Sequence, residues 1–120
     1  MNSHAFDREQ SVAIDAVRAA AQLCQAVQAA IGDSVMKKQD RTPVTVADFG
    51  SQAVICHALR TAFPDDPIIA EEDSSALQTD ENAAVLDAVV QRVQALEPGA
   101  DHDAVCQWID YGNASTYHDR

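Results

Sequence analysis

Phe63-Pro64-Asp65-Asp66-Pro67-Ile68-Ile69-Ala70-Glu71-Glu72-Asp73 is the stretch on which the fold of this chain turns. Its prolines and aspartates end whatever helix precedes it, because proline cannot donate the next helical hydrogen bond and aspartate competes for backbone N–H groups. The β-branched pair Ile68-Ile69 then reads as a short buried strand over residues 68–71. That strand runs straight into a row of carboxylates. Everything around it carries helical spacing, so the chain presents one strand among helices. A single strand cannot make a sheet, and the expected class is therefore α/β (α+β): the amino-terminal portion of a layered fold, mostly helical, with a short hairpin and one strand.

Upstream, Ala13, Val17, Ala20, Cys24, Val27 and Ile31 recur at steps of four and three and predict one apolar face of a helix from Asp7 to Ile31, widened by Leu23 and Ala30. Asp7 is placed to cap it, with Gln10 as its box partner, and Gly32-Asp33 to stop it. Residues 34–38 and 42–45 flank a polar Gln39-Asp40-Arg41 and read as a small hairpin or irregular loop, with Pro43 arguing against a central strand. A second helix is expected over residues 45–62, with Val54, Ile55, Ala58, Leu59 and Ala62 facing inward. Beyond the acidic run, residues 74–80 read as loop and 81–96 as a helix packed through Leu86, Val89, Val93 and Leu96. A shorter helix over 101–111 packs Val105, Trp108 and Ile109 and stops at Gly112. The resulting organisation is one unit over residues 1–112 and an unstructured tail over 113–120.

With 120 residues, 47% of them hydrophobic, the chain can build one core without disulfides or structural metal. Asp and Glu number 19 against 8 Lys and Arg, a net charge of -11 that disfavours nucleic acid and anionic membranes as partners. A phosphorylated substrate would need positive charge supplied locally, from a basic cluster or bound metal cations. Cys24, Cys56 and Cys106 have no short-spaced partner and read as reduced, buried hydrophobes, which favours a cytoplasmic setting. No bilayer-length apolar run and no basic-then-apolar leader is visible at the start.

Two segments could carry chemistry: residues 37–48, ending at Asp48, and residues 63–73, ending in Glu71-Glu72-Asp73. An acid at a helix start and acids at a strand end can converge, and carboxylate oxygens suit a hard cation such as Mg²⁺. Plainer readings stand beside this. Thr45-Val46-Ala47-Asp48 is also a capping box, and Glu71-Glu72-Asp73 is also an ordinary solvated charge run. Lys37, Lys38 and Arg41 could meet a substrate phosphate or simply face solvent. His57, His102 and His118 lack partners at metal-ligand spacing, and Trp108 reads as a packing anchor.

Thr42-Pro43-Val44-Thr45-Val46-Ala47-Asp48, the following Gly50-Ser51-Gln52, the Phe63-Pro64-Asp65-Asp66 turn and Ala70-Glu71-Glu72-Asp73 together resemble the amino-terminal region of the inositol monophosphatase-like, lithium-sensitive phosphatases. The closest branch is the 3'(2'),5'-bisphosphate nucleotidases, and Asp110-Tyr111-Gly112-Asn113 fits the segment before that family's second metal motif. The resemblance implies a Mg²⁺-dependent phosphatase that converts adenosine 3',5'-bisphosphate to AMP, acting on a small nucleotide rather than nucleic acid. By the same resemblance Glu71 is a metal ligand, Asp48 positions the metal-bound attacking water and Glu72 supports them; Lys38, from the basic turn, is the candidate for substrate contact. Ala70 stands where the family more often has Gly.

The family's Asp-Pro-Ile-Asp-Gly-Thr motif does not follow Asn113, and the chain continues instead as Ala114-Ser115-Thr116-Tyr117-His118-Asp119-Arg120. The expectation is accordingly a piece of such an enzyme, inactive alone. Alternatives are an inositol monophosphatase-type phosphatase, or a non-catalytic acidic helical module that pairs with a complementing chain or with itself through open apolar faces.

Overall fold

A computed structural model describes residues 5–31 and 42–115. Most of the expected hairpin, along with Lys37, Lys38 and Arg41, lies outside the described residues. Four helices account for most of the remainder: α1 (Asp7–Ile31), α2 (Thr42–Ala62), α3 (Ala83–Gln94) and α4 (His102–Asp110). Single 3₁₀ turns at Ser74–Ala76 and Asp80–Asn82 link α2 to α3.

Helix α1 has the expected limits, but Asp7 lies within its first turn rather than ahead of it, where its charge and that of Glu9 favour the helix dipole. The buried face also differs from the expected one. It is Ala16, Ala20, Leu23 and Val27, whereas Val17 is 60% exposed and Ala13 and Cys24 face outward. Alanines and valines surround much of this helix, so spacing alone does not select a stripe; the neighbour does. A Cβ on Gly50 of α2 would lie 2.9 Å from Leu23 Cδ1, so the missing side chain at Gly50 is what admits Leu23 between the helices.

Helix α2 begins at Thr42, three residues before the expected start, with Pro43 in the first turn where its missing N–H costs nothing. Residues 42–45 are therefore helical, not part of a hairpin, and Thr45 and Asp48 lie inside the helix rather than forming a capping box. The helix is central: α1 packs on it from one side, and α3 and α4 also pack against it. It accordingly buries Val46, Phe49, Gly50, Ala53, Val54 and Cys56, while Ile55, Ala58, Leu59 and Ala62 are only partly covered.

The expected strand is reduced to one antiparallel bridge between Ile69 and Asn113. Ala70 N–H donates to the Gly112 carbonyl at 2.8 Å and Ala114 N–H to the Ile68 carbonyl at 3.1 Å. With no other extended segment alongside, residues 68–71 have nothing further to pair with, and no sheet layer of an α/β fold forms among the described residues. Asn113 and Ala114, placed in a tail by the sequence, are thus tied to the residues ahead of the acidic run.

Thr79 Oγ1 accepts from Asn82 N–H at 3.2 Å and caps the turn that leads into α3. That turn takes up the first residues expected in the helix, and α3 ends at Gln94 with Ala95 N–H still donating to the Gln91 carbonyl at 3.2 Å. Asp101 caps α4 by accepting from Ala104 N–H at 2.8 Å. Val89, Val90 and Val93 of α3 and Val105 and Ile109 of α4 join Leu23, Val27, Val46, Phe49, Ala53, Val54, Leu77 and Ala100 in one continuous core.

Candidate functional site

Asp48 is exposed on α2, and Gln52 follows it by one helical turn on the same face. The Gln52 carboxamide is fully engaged. Its Oε1 accepts from Glu72 N–H at 2.9 Å, and its Nε2 donates to the Glu72 carbonyl at 2.8 Å and to the Ile109 carbonyl at 2.9 Å. The backbone of Glu72 is thereby held against α2, close to Asp48. Burial, then the charge of Glu71, then that of Asp48 push the Glu72 carboxyl above its ordinary value, so the negative charges of all three residues meet in one neighbourhood.

The other end of the acidic run is held by α4. Asp110 Oδ1 accepts from Ser74 N–H at 2.8 Å and Oδ2 from Ser74 Oγ–H at 2.6 Å, and Gln78 Nε2 donates to the same Ser74 Oγ at 2.8 Å. Asp73 turns the other way: its Oδ1 accepts from Ser75 N–H at 2.8 Å and its Oδ2 from Asn113 Nδ2 at 3.0 Å. Hydrogen bonds from Ser75, and then from Asn113, hold the Asp73 carboxyl below its usual range. Asp73 is thus a turn-capping acid. Among the described residues no three His, Cys, Asp or Glu side chains form a group able to hold a metal ion. A cleft of about 410 Å³ between the start of α1 and residues 63–69 is lined by Ala13, Leu59, Phe63 and Ile68, among others, and by none of the three carboxylates.

No protein-family model matches the chain. Curated proteins do. The chain is 35% identical over 127 residues to 3'(2'),5'-bisphosphate nucleotidase 1 of Candida albicans, an alignment covering 93% of this chain and 34% of that protein. It is 40% identical over 94 residues to the 3'(2'),5'-bisphosphate nucleotidase of Schizosaccharomyces pombe, covering 74% and 26% respectively. A putative mitochondrial 3'(2'),5'-bisphosphate nucleotidase of Arabidopsis thaliana is 37% identical over 119 residues, covering 93% and 29%. This chain belongs to the 3'(2'),5'-bisphosphate nucleotidase family. It spans about a third of the length of the curated nucleotidases it matches, which fits an amino-terminal part of the family.

In this nucleotidase segment the residues that shape the acidic run are those the sequence left without a role: Gln52, Ser74 and Asp110. The available signal was the one-turn spacing of Asp48 and Gln52. Trp108 packs as expected, stacked on His57 with ring centroids 3.8 Å apart and planes 17° from parallel. His102 Nε2 lies 2.6 Å from Asp87 Oδ1. Of the cysteines only Cys56 is buried, its thiol pushed up to about 11 by burial. Cys24 is exposed, with its Sγ 3.3 Å from Ser51 Oγ, and Cys106 is half-buried. No helix among the described residues is long and apolar enough to cross a membrane.

Proposed function

We propose that this chain supplies Asp48, Glu71 and Glu72 to a Mg²⁺-dependent site that hydrolyses the 3'-phosphate of adenosine 3',5'-bisphosphate and related 3'(2'),5'-bisphosphate nucleotides, releasing phosphate. The observation that carries this reading is the pair of hydrogen bonds by which Gln52 holds the Glu72 backbone against α2, one turn from Asp48. The nucleotidases to which the chain is 34–43% identical give the reaction its class.

The donor type suits the cation, but Asp48, Glu71 and Glu72 do not by themselves form a group that holds it. Carboxylate oxygens are the hard ligands that Mg²⁺ prefers, and a few of them suffice where waters and substrate phosphate complete the shell. When bound, Mg²⁺ supplies charge for the phosphate and lowers the pKa of a coordinated water. Glu71 is the proposed ligand. Asp48, exposed on a rigid helix, accepts a hydrogen bond from the attacking water and orients it. Glu72 adds negative charge beside them, and its hold on a proton weakens once positive charge enters the neighbourhood. Lys38 is the proposed contact for substrate phosphate, offsetting repulsion by a chain of net charge -11. The three free cysteines favour a reducing, cytosol-like compartment.

Three carboxylates are few for such a site, so the 120 residues alone are expected to release no phosphate. A hybrid in which this chain replaces the matching segment of the Candida albicans nucleotidase provides the test. Mg²⁺-dependent release from adenosine 3',5'-bisphosphate in preference to inositol 1-phosphate supports the reading. Preference for inositol 1-phosphate, or enzyme-like turnover by the isolated chain, overturns it.

A further inference from the structure

We infer that the open backbone edge at Ile69 is a docking edge for an extended segment from the part of a bisphosphate nucleotidase that this chain does not span. The bridge between Ile69 and Asn113 is of the antiparallel kind in which the facing pair exchanges no hydrogen bond; the Ala70 N–H and the Ile68 carbonyl make the bonds to residues 112 and 114. Alternation along an extended backbone then turns the Ile69 N–H and carbonyl to the opposite side. Among the described residues neither makes a hydrogen bond. The filled side continues to Glu72, whose N–H and carbonyl are taken by Gln52. One side of this stretch is thus closed by hydrogen bonds, and the other is open at Ile69.

The side chains beside the open edge suit a covered strand. Ile69 is 59% exposed, and edges that stay in water are ordinarily blunted by Lys, by Pro or by a bulge rather than carrying a β-branched apolar residue. Beside it lies the cleft of about 410 Å³ whose walls include Ala13, Leu59, Phe63 and Ile69. An added strand gains affinity from main-chain bonds and specificity by placing alternate side chains in such a cleft. Two observations choose the occupant. The alignment with the Candida albicans nucleotidase covers 93% of this chain but 34% of that protein, so most of that protein has no counterpart here to cover the edge. A second copy of this chain is disfavoured by charge: each copy carries -11, and Glu71 and Glu72 follow the edge directly, so paired edges would bring like charges together. Family membership supports the docking edge, and the proposed metal site plays no part in it.

The test compares hydrogen exchange at the Ile69 amide in the 120-residue chain with that in the hybrid in which this chain replaces the matching segment of the Candida albicans nucleotidase. Exchange slower by about tenfold or more in the hybrid is expected, as one added hydrogen bond would give. Ile69→Pro removes the N–H; it is expected to leave the urea midpoint of the 120-residue chain nearly unchanged, since proline is tolerated on an open edge, and to lower that of the hybrid. Ile69→Lys, the second variant should the first fail to fold in the 120-residue chain, charges the edge without removing the N–H and is expected to show the same contrast. Equal exchange at Ile69 in both proteins, an unfolded hybrid, or equal losses of stability in both overturns the inference. Sedimentation of the 120-residue chain as a dimer with a protected Ile69 amide also overturns it, by making a second copy the occupant. Slowed exchange in a hybrid that releases no phosphate supports the docking edge and overturns only the hydrolytic reading.

Discussion

Asp110 takes both hydrogen-bond donors of Ser74, the amide at 2.8 Å on one carboxylate oxygen and the hydroxyl at 2.6 Å on the other. Ser74 is 1% exposed, so its backbone and side chain have no recourse to water, and a carboxylate acceptor makes both bonds stronger than neutral ones. The pair fixes the end of the acidic run to the last residue of α4.

Asp110→Ala is therefore expected to destabilise the fold by about 2–3 kcal/mol, since it leaves a buried N–H without a partner. Ser74→Ala, which keeps the amide bond, is expected to cost about half as much. Urea denaturation of the two variants checks the order.

Gly112 and Gly99 make a paired comparison. A methyl at Gly112 meets Ala70 Cβ at 2.6 Å and the Ile109 carbonyl at 3.3 Å, whereas one at Gly99 meets nothing within 4 Å. Gly112→Ala should cost about 1–3 kcal/mol through overpacking, while Gly99→Ala changes stability by less than about 0.5 kcal/mol. Thermal midpoints of both variants provide the check.

Leu23 and Val17 test which face of α1 is inside. Leu23 is 1% exposed and Val17 60%. Leu23→Ala is expected to lose about 2–5 kcal/mol and Val17→Ala less than about 0.5 kcal/mol, measured by chemical denaturation.

The sequence located the helices because caps, glycines and apolar spacing are local signals, and the limits of α1 agree with them. It selected the faces of α3 and α4, where Val89, Val93, Val105 and Ile109 are buried, but not those of α1 and α2. In α1 the choice between Val17 and Leu23 depends on a glycine in another helix, and α2 needs burial toward several neighbours at once. The start of α2 was misread because Thr45 to Asp48 also satisfies a capping pattern, while Pro43, taken only as evidence against a central strand, is the proline of a first turn. The strand at Ile68-Ile69 was legible as extended backbone, but its pairing with Asn113 depends on a partner far along the chain. Asp48, Glu71 and Glu72 stood out by charge; Gln52, which bonds to the backbone of Glu72, carries no charge and entered only as part of the Gly50-Ser51-Gln52 segment.

Glu72 and Asp73 should drive stability in opposite directions with pH. The folded-state value of Glu72 lies above 4.5, so the folded chain holds that proton more tightly than the unfolded one. Its contribution is full below 4.5 and is lost as pH rises through the folded value. Asp73 lies below 3.8, and its contribution is present above 3.8 and lost as pH falls through its folded value. Glu72→Gln is expected to raise the thermal midpoint at about pH 7 and to have no such effect at about pH 4. Asp73→Asn is expected to lower it at about pH 7 and to lose that effect in strong acid.

The most direct test of the central claim is calorimetric titration of Mg²⁺ into the chain and into its Glu71→Gln and Asp48→Asn variants. Saturable binding by the wild type, weakened on the order of tenfold or more in each variant with the fold intact, is the predicted result. Binding that is the same in all three proteins, or no binding in any, would contradict the claim that these carboxylates form part of a nucleotidase metal site.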